Sequence, residues 1–420
     1  MGKPSSQISE AKTAFNSFFR NDLYGRYDHP DNIILSRGSW NDEIVRLPAF
    51  FRFCLMATLE RNWIGYSDSL GHERVYDALL DWVNVGRDKT YDPNQLAITM
   101  GNVATMGAVF RELKEVFPDG ELLTFEPFYP SIVKSASHSF PVVHTVSSLP
   151  ENENEVFEQI ELECKAKPNT KVLLLSNFIG VEGRVFSKEF WSKVIELLEE
   201  QDLYLVIDEG MWFHPLEYPE GVNGKRVIRV VSSSKKYGNP GMKMGYMLAP
   251  PWFISNYYEQ ASSSYGGPPS LLFLAGEFMY QFEHAHATGD QAGLERLSSR
   301  YEFSGDDVEG LFADFQNTLR QNEATYLANR RTFEEWLLKN KDLFRKVHTF
   351  QGINFFVEPD RAQRTYPMFE ELIQGEKVSV FPGVCMGDVS DRMCRVTILE
   401  SQAHVQEGLN RFARFLSRTQ

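Results

Sequence analysis

A chain of 420 residues, 42% of them hydrophobic, can bury a large core and is long enough for two domains. Its formal net charge of −14 argues against non-specific nucleic-acid binding, which works by neutralising phosphates with clustered Lys and Arg. No apolar run reaches the roughly 18 residues that span a bilayer, so no membrane association is expected.

At the N-terminus, residues 1–6 lack the apolar stretch of a secretory signal. From about residue 95 to 250, strand-like runs alternate with helical patterns. The predicted strands are residues 96–100, 121–125, 142–146, 172–175, 204–207 and 227–231. Between the fourth and fifth lies a helix that Ser187 can cap, with Phe190, Trp191, Val194, Ile195 and Leu198 as its apolar face. Strands of this kind, buried on both faces and separated by helices, predict a layered α/β fold with a mostly parallel sheet. After residue 265 the pattern turns helical. Residues 286–314 are polar and read as a solvated loop or an inserted helix. An amphipathic helix is predicted over 317–340, then short strands near 352–357 and 395–399. Cys54, Cys164, Cys385 and Cys394 are widely spaced with no C-x-x-C pair, as expected of thiols in a reducing, cytoplasmic setting. His284 and His286 have a spacing that does not share a helix face, which gives a metal site little support.

The chemistry concentrates in Ser232-Ser233-Ser234-Lys235-Lys236-Tyr237-Gly238-Asn239-Pro240-Gly241-Met242-Lys243-Met244-Gly245-Tyr246. A lysine follows a serine cluster, and a second cation comes after Pro-Gly. This suits an amine that condenses with an aldehyde beside hydroxyls and a cation that hold a phosphate. Asp208, followed by Glu209, ends one predicted strand. Tyr129 lies in Pro127-Phe128-Tyr129-Pro130 after another. Gly101, Asn102 and Val103 open a helical run, where backbone N–H groups make an anion site. Arg395 precedes an alternating strand with Val396 and Ile398, and its planar fork suits a carboxylate; Arg392 is the competing choice. Taken singly, each has an ordinary explanation as a turn, a strand-end acid or a core aromatic.

Together these segments resemble the fold-type I pyridoxal phosphate (PLP) enzymes of the class I/II aminotransferase family. That family's lysine pattern reads S-x-S-K-x-x-G-x-P-G-x-R-x-G-Y, and only the arginine differs, being Lys243 here. The resemblance runs from about residue 31 to the C-terminus. It implies a large PLP-binding domain over 51–315 and a small α+β domain over 316–420, to which 1–50 contribute. By the same resemblance Lys235 joins the cofactor and shuttles a proton, Asp208 faces the pyridine nitrogen, and Tyr129 stacks on the ring. Gly101, Asn102, Val103, Ser232, Ser234 and Lys243 cradle the phosphate. Asn177, the retained first asparagine of N-P-x-N-P-T-G-x-V, is a cofactor contact, and Tyr66 reaches the phosphate from a neighbouring subunit, so a homodimer with a shared site is implied. Arg395, with Gly38, takes the substrate.

Two positions depart from the family pattern. The second asparagine of N-P-x-N-P-T-G-x-V falls on Gly180, and the tyrosine of D-E-x-Y falls on Met211. Both usual partners of the 3′ oxygen are missing there; Trp212, His214 and Asn177 are the candidate replacements. The expected function is PLP-dependent transamination of an α-amino acid through aldimine and quinonoid intermediates. The alternative keeps the first steps but expels a β or γ substituent, as a lyase or replacement enzyme acting, for instance, on S-adenosylmethionine. A third reading is a non-catalytic regulator; no basic helix-turn-helix segment precedes the resemblance, and the lysine is retained. Nothing in the sequence marks a pocket for a particular substrate side chain.

Overall fold

The computed structural model describes residues 5–41, 44–87, 90–211, 216–388 and 390–418. The chain forms two compact units, one of residues 45–116 and 204–322, the other of residues 1–44, 117–203 and 323–420.

In the first unit four strands lie in the order Leu96–Thr99, Gly245–Leu248, Val227–Ser232, Tyr204–Glu209. Val227–Ser232 and Tyr204–Glu209 are parallel, with Asp208 opposite Val230. Val227–Ser232 is buried at every position, as a strand covered on both faces must be. Helix Asn102–Val116 packs against it and against helix Pro251–Ser264. Gly245–Leu248 runs antiparallel to both of its neighbours. It is an element the periodicity did not announce, being short and overlapping the lysine motif. Helices Ala49–Glu60, Glu73–Val83 and Phe273–Thr288 enclose a second layer of core. There Phe50 and Phe278 meet Phe282 with centroids 5.4 and 5.5 Å apart. Fully burying an aromatic side chain of this size is worth about 1.5–3 kcal/mol.

In the second unit the order is Thr170–Ser176, Glu121–Glu126, Val143–Ser147, all parallel. Helix Lys188–Glu200 begins where predicted, with the Ser187 hydroxyl accepting from the Phe190 N–H at 3.1 Å. Phe190, Trp191, Val194 and Leu198 are buried, and Leu197 joins them while Ile195 is only half-buried. A separate antiparallel sheet follows, in the order Phe381–Pro382, Cys394–Thr397, Asn354–Pro359, Phe344–His348. Near the N-terminus Ile33–Ile34 pairs in parallel with Val378–Ser379.

The polar stretch 286–314 is largely helical. It holds helix Ala292–Tyr301 and the start of helix Gly305–Asn340, which begins well before the predicted 317. No helix among the described residues is long and apolar enough to cross a membrane.

Candidate active site

The lysine turn follows directly from strand Val227–Ser232. Its shape is set by two close approaches. Gly245 lies opposite both Thr99 and Ser232. A Cβ there would stand 2.4 Å from the Val231 carbonyl oxygen, 3.3 Å from Thr99 Oγ1 and 3.4 Å from the Gly101 Cα. Only glycine lets these three segments converge. Gly238 has φ +63°, and a Cβ on it would meet Val45 Cγ1 at 2.8 Å. Within the turn the Ser232 and Ser234 hydroxyls are 2.7 Å apart, and the Ser233 N–H donates to the Met244 carbonyl at 3.2 Å. Lys235 is half-buried and Lys243 exposed, the latter in the left-handed region at φ +55°. Gly101 backs onto Lys243: its Cβ position is 3.7 Å from the Lys243 Cα.

Asp208 is half-buried at the end of strand Tyr204–Glu209. Its Oδ1 accepts from Asn102 Nδ2 at 2.5 Å and from the Gly210 N–H at 2.9 Å. Asn102 is the first residue of helix Asn102–Val116. The strand-end acid and the helix N-terminus are thus brought together across more than a hundred residues of sequence. A buried bidentate pair links the two parallel strands: Arg229 Nε and Nη2 donate to Glu209 Oε1 and Oε2 at 2.6 and 3.0 Å. Tyr66 is fully exposed on a loop; its neighbour Ser67 lines one pocket with Thr99, Lys243 and Gly245. Val103 is half-exposed in the first turn of the helix.

In the other unit Arg395 is buried on strand Cys394–Thr397. Its Nη2 donates to the Ser36 carbonyl at 2.8 Å and its Nη1 reaches the Gly180 carbonyl at 3.4 Å. Phe381 lies under the guanidinium, 4.6 Å from centroid to Cζ. Arg395 forms no ion pair with a carboxylate among the described residues, and burial lowers its pKa to about 10. Tyr129 and Cys385 oppose that shift. Gly38 faces the guanidinium directly: its Cβ position is 3.4 Å from Nη2. Arg392, the competing choice, is exposed. Tyr129 is 42% exposed at the start of helix Pro130–Ser139 and meets the Phe15 ring edge-on at 5.7 Å.

Asn177 is buried, with Oδ1 accepting from the Phe178 and Phe186 N–H groups at 3.1 and 3.2 Å. Gly180 offers its carbonyl to Asn354 Nδ2 at 2.7 Å as well as to Arg395. Met211 is half-buried, whereas Trp212 and His214 lie outside the described residues.

Buried polar atoms without a partner among the described residues test whether PLP suits these groups. They include Thr99 Oγ1 and Asn102 Oδ1 in one unit, and Asn177 Nδ2 and Arg395 Nε in the other. A buried polar atom costs free energy until something pairs with it. Hydroxyls, a helix N-terminus and a lysine in the first unit, with an amide and a guanidinium in the second, are the donors that a phosphate, a phenolic oxygen and a carboxylate require. Taken unit by unit, the first set of donors suits the phosphate of PLP, and the second suits a phenolic oxygen and a carboxylate. Sequence reading missed Gly210 and Asn354, because what matters about each is a partner far away in the chain.

Residues 42–300 match the family model described as aminotransferase class I and II. The chain is 23% identical over 389 residues to an aspartate aminotransferase of Sulfurisphaera tokodaii, covering 88% of this chain and 87% of that one. It is also 23% identical over 364 residues to the glutamate-pyruvate aminotransferase AlaC of Escherichia coli, covering 82% and 77%. Among solved structures, an aminotransferase from Mycobacterium tuberculosis aligns with TM-score 0.73 at 17% identity, over 99% of this chain and 97% of that one. The aromatic aminotransferase from Pyrococcus horikoshii aligns with TM-score 0.72 at 17% identity, over 93% and 97%. These structures establish the α/β fold, and the match over residues 42–300 makes this chain a member of the class I and II aminotransferase family.

Proposed function

We propose that this enzyme binds PLP at Lys235 and transfers the amino group of an α-amino acid. The observation that carries the reading is the convergence at Gly245, which draws Thr99, Gly101 and Ser232 to one place beside the lysine turn. Bound PLP supplies an aldehyde that captures the amino group and a protonated ring that withdraws electrons from the α-carbon.

The chain's own residues do the rest. Ser232, Ser234, Lys243 and the N–H groups of Asn102 and Val103 hold the phosphate. Lysine at 243 keeps the charge of the family's arginine but loses its two-pronged geometry. Asp208, steadied by Asn102 and Gly210, holds a proton on the ring nitrogen. Tyr129 stacks on the ring, and Asn177 Nδ2 donates to the 3′ oxygen. Arg395 grips the substrate carboxylate, with Gly38 leaving room for it. The Lys235 amine would serve as the base that takes the proton from the α-carbon and as the acid that delivers it to the cofactor carbon that keeps the amino group.

The cofactor domain is proposed to span 51–315 and the small domain 316–420 with 1–50. The working assembly is a cytoplasmic homodimer in which Tyr66 serves the neighbouring subunit. The test is direct: PLP-loaded protein is reduced with borohydride and the labelled peptide mapped. Label on Lys235 is expected; label elsewhere removes the reading.

A second reading, loss of a β or γ substituent, is favoured by Gly180 and Met211. Neither offers a side-chain donor where the family places two. The products decide: a keto acid with the cofactor left in its amine form means transamination, whereas a released leaving group with the cofactor's aldehyde retained means elimination or replacement.

A further inference from the structure

The turn carries two adjacent amines, Lys235 and Lys236, and their surroundings differ. The Lys236 ammonium lies 2.5 Å from Glu283 Oε1, with side-chain exposures of 10% and 3%. The same oxygen accepts from the Tyr237 hydroxyl, and Tyr237 is itself buried. Glu283 projects from helix Phe273–Thr288. The rings of Trp82 and Tyr237 each lie 5.7 Å from the Lys236 nitrogen. One carboxylate therefore holds both residues that follow Lys235.

An amine joins an aldehyde only when neutral: its lone pair attacks the carbonyl carbon, a C=N bond forms and water leaves. An amine held in a close ion pair is fixed in place and must leave that partner before it can react. We propose that Glu283 selects the reactive lysine. It draws the Lys236 nitrogen toward the helix, and through Tyr237 it clamps the turn so that Lys235 alone is presented to the aldehyde. Glu283 is thus a positioning residue that acts through its two neighbours. The inference rests on Lys235 being the cofactor lysine.

The experiment reduces PLP-loaded protein with borohydride, which delivers hydride to the C=N carbon, and assigns the label between 235 and 236 by peptide fragmentation. Trace acetylation of the same loaded protein gives the reactivity of Lys236. In the unaltered protein the label is expected on Lys235 alone. In Glu283→Gln the share on Lys236 and its acetylation rate are both expected to rise about tenfold or more, as the ion pair that ties the amine to the helix is lost. Glu283→Asp keeps the charge, guards against a Gln variant that fails to fold, and is expected to show a smaller rise in acetylation with label still on Lys235. A folded Gln variant labelled only on Lys235, with unchanged Lys236 acetylation, overturns the inference. So does an Asp variant identical to the parent where the Gln variant does not fold. Label away from Lys235 in the unaltered protein would instead remove the reading on which the inference rests.

Discussion

Arg395 shows what a single residue can carry. Burial lowers its pKa to about 10, which still leaves it charged at neutral pH. Among the described residues its partners are two carbonyls and an aromatic face, which leaves its charge to meet the substrate carboxylate proposed for it. Arg395→Lys should keep the charge and lose the fork. With a hydrogen bond to a charged group worth about 1.5–3 kcal/mol, kcat/KM should fall about 10- to 150-fold. Steady-state kinetics on any accepted amino acid measure it; an unchanged value would move the carboxylate site elsewhere. Glu182 gives a pH prediction. It is fully buried, Ser148 Oγ donates to its Oε1 at 2.6 Å, and burial raises its pKa to about 7 from 4.5. A carboxyl whose folded pKa is raised holds its proton longer than the unfolded chain does. Stability should therefore fall as pH rises from 4.5 to about 7 and then level off. Glu182→Gln should remove that slope, making the protein more stable than the parent by roughly 3 kcal/mol at pH 8 and about equal near pH 4.5. Urea melts at the two pH values check it.

At the scale of elements, the site is made where strand ends meet helix starts. Gly210 illustrates the tolerance. A Cβ on it would lie 2.6 Å from Asn102 Nδ2 and 3.0 Å from Asp208 Oδ1. Gly210→Ala should push Asn102 away from Asp208 while leaving the fold intact. Turnover should drop about tenfold or more with substrate affinity little changed, because the role proposed for Asp208 would matter most as the α-carbon loses its proton. A variant with normal turnover would show that the Asn102 contact does not matter. Much at this scale was legible in advance. Strand positions and the Ser187 cap follow from local periodicity and side-chain chemistry, which act over a few residues. Gly245–Leu248 was not, because four residues ending in Pro-rich sequence give no period to read. The Asn102–Asp208 bond and the Gly183–Gly352 approach, where a Cβ on Gly183 would stand 2.8 Å from the Gly352 Cα, join distant segments and leave no local trace. The lysine motif was readable for the opposite reason: its constraints fall within fifteen consecutive residues.

For the whole molecule the prediction concerns assembly. Tyr66 is fully exposed, and Met56, Leu59 and Ile64 before it are each at least half-exposed. Apolar groups gathered on one segment suit a covered surface. Ser67 lines a pocket with Lys243 of its own chain, and the competing arrangement has Tyr66 serving its own subunit. Mixed dimers separate the two. One partner carries Lys235→Ala, the other Tyr66→Phe, and the two are unfolded together and refolded. If Tyr66 crosses to the neighbour, the Lys235-bearing subunit of each hybrid receives an intact Tyr66 and forms one whole site. With hybrids about half of a random mixture and one site of two restored, activity should return to about a quarter of the unaltered enzyme. If Tyr66 serves its own subunit, every site in the mixture lacks either the lysine or the phenol hydroxyl. Activity then stays at the mean of the two parents. A mixture that sediments as monomer while remaining active would remove the shared site altogether.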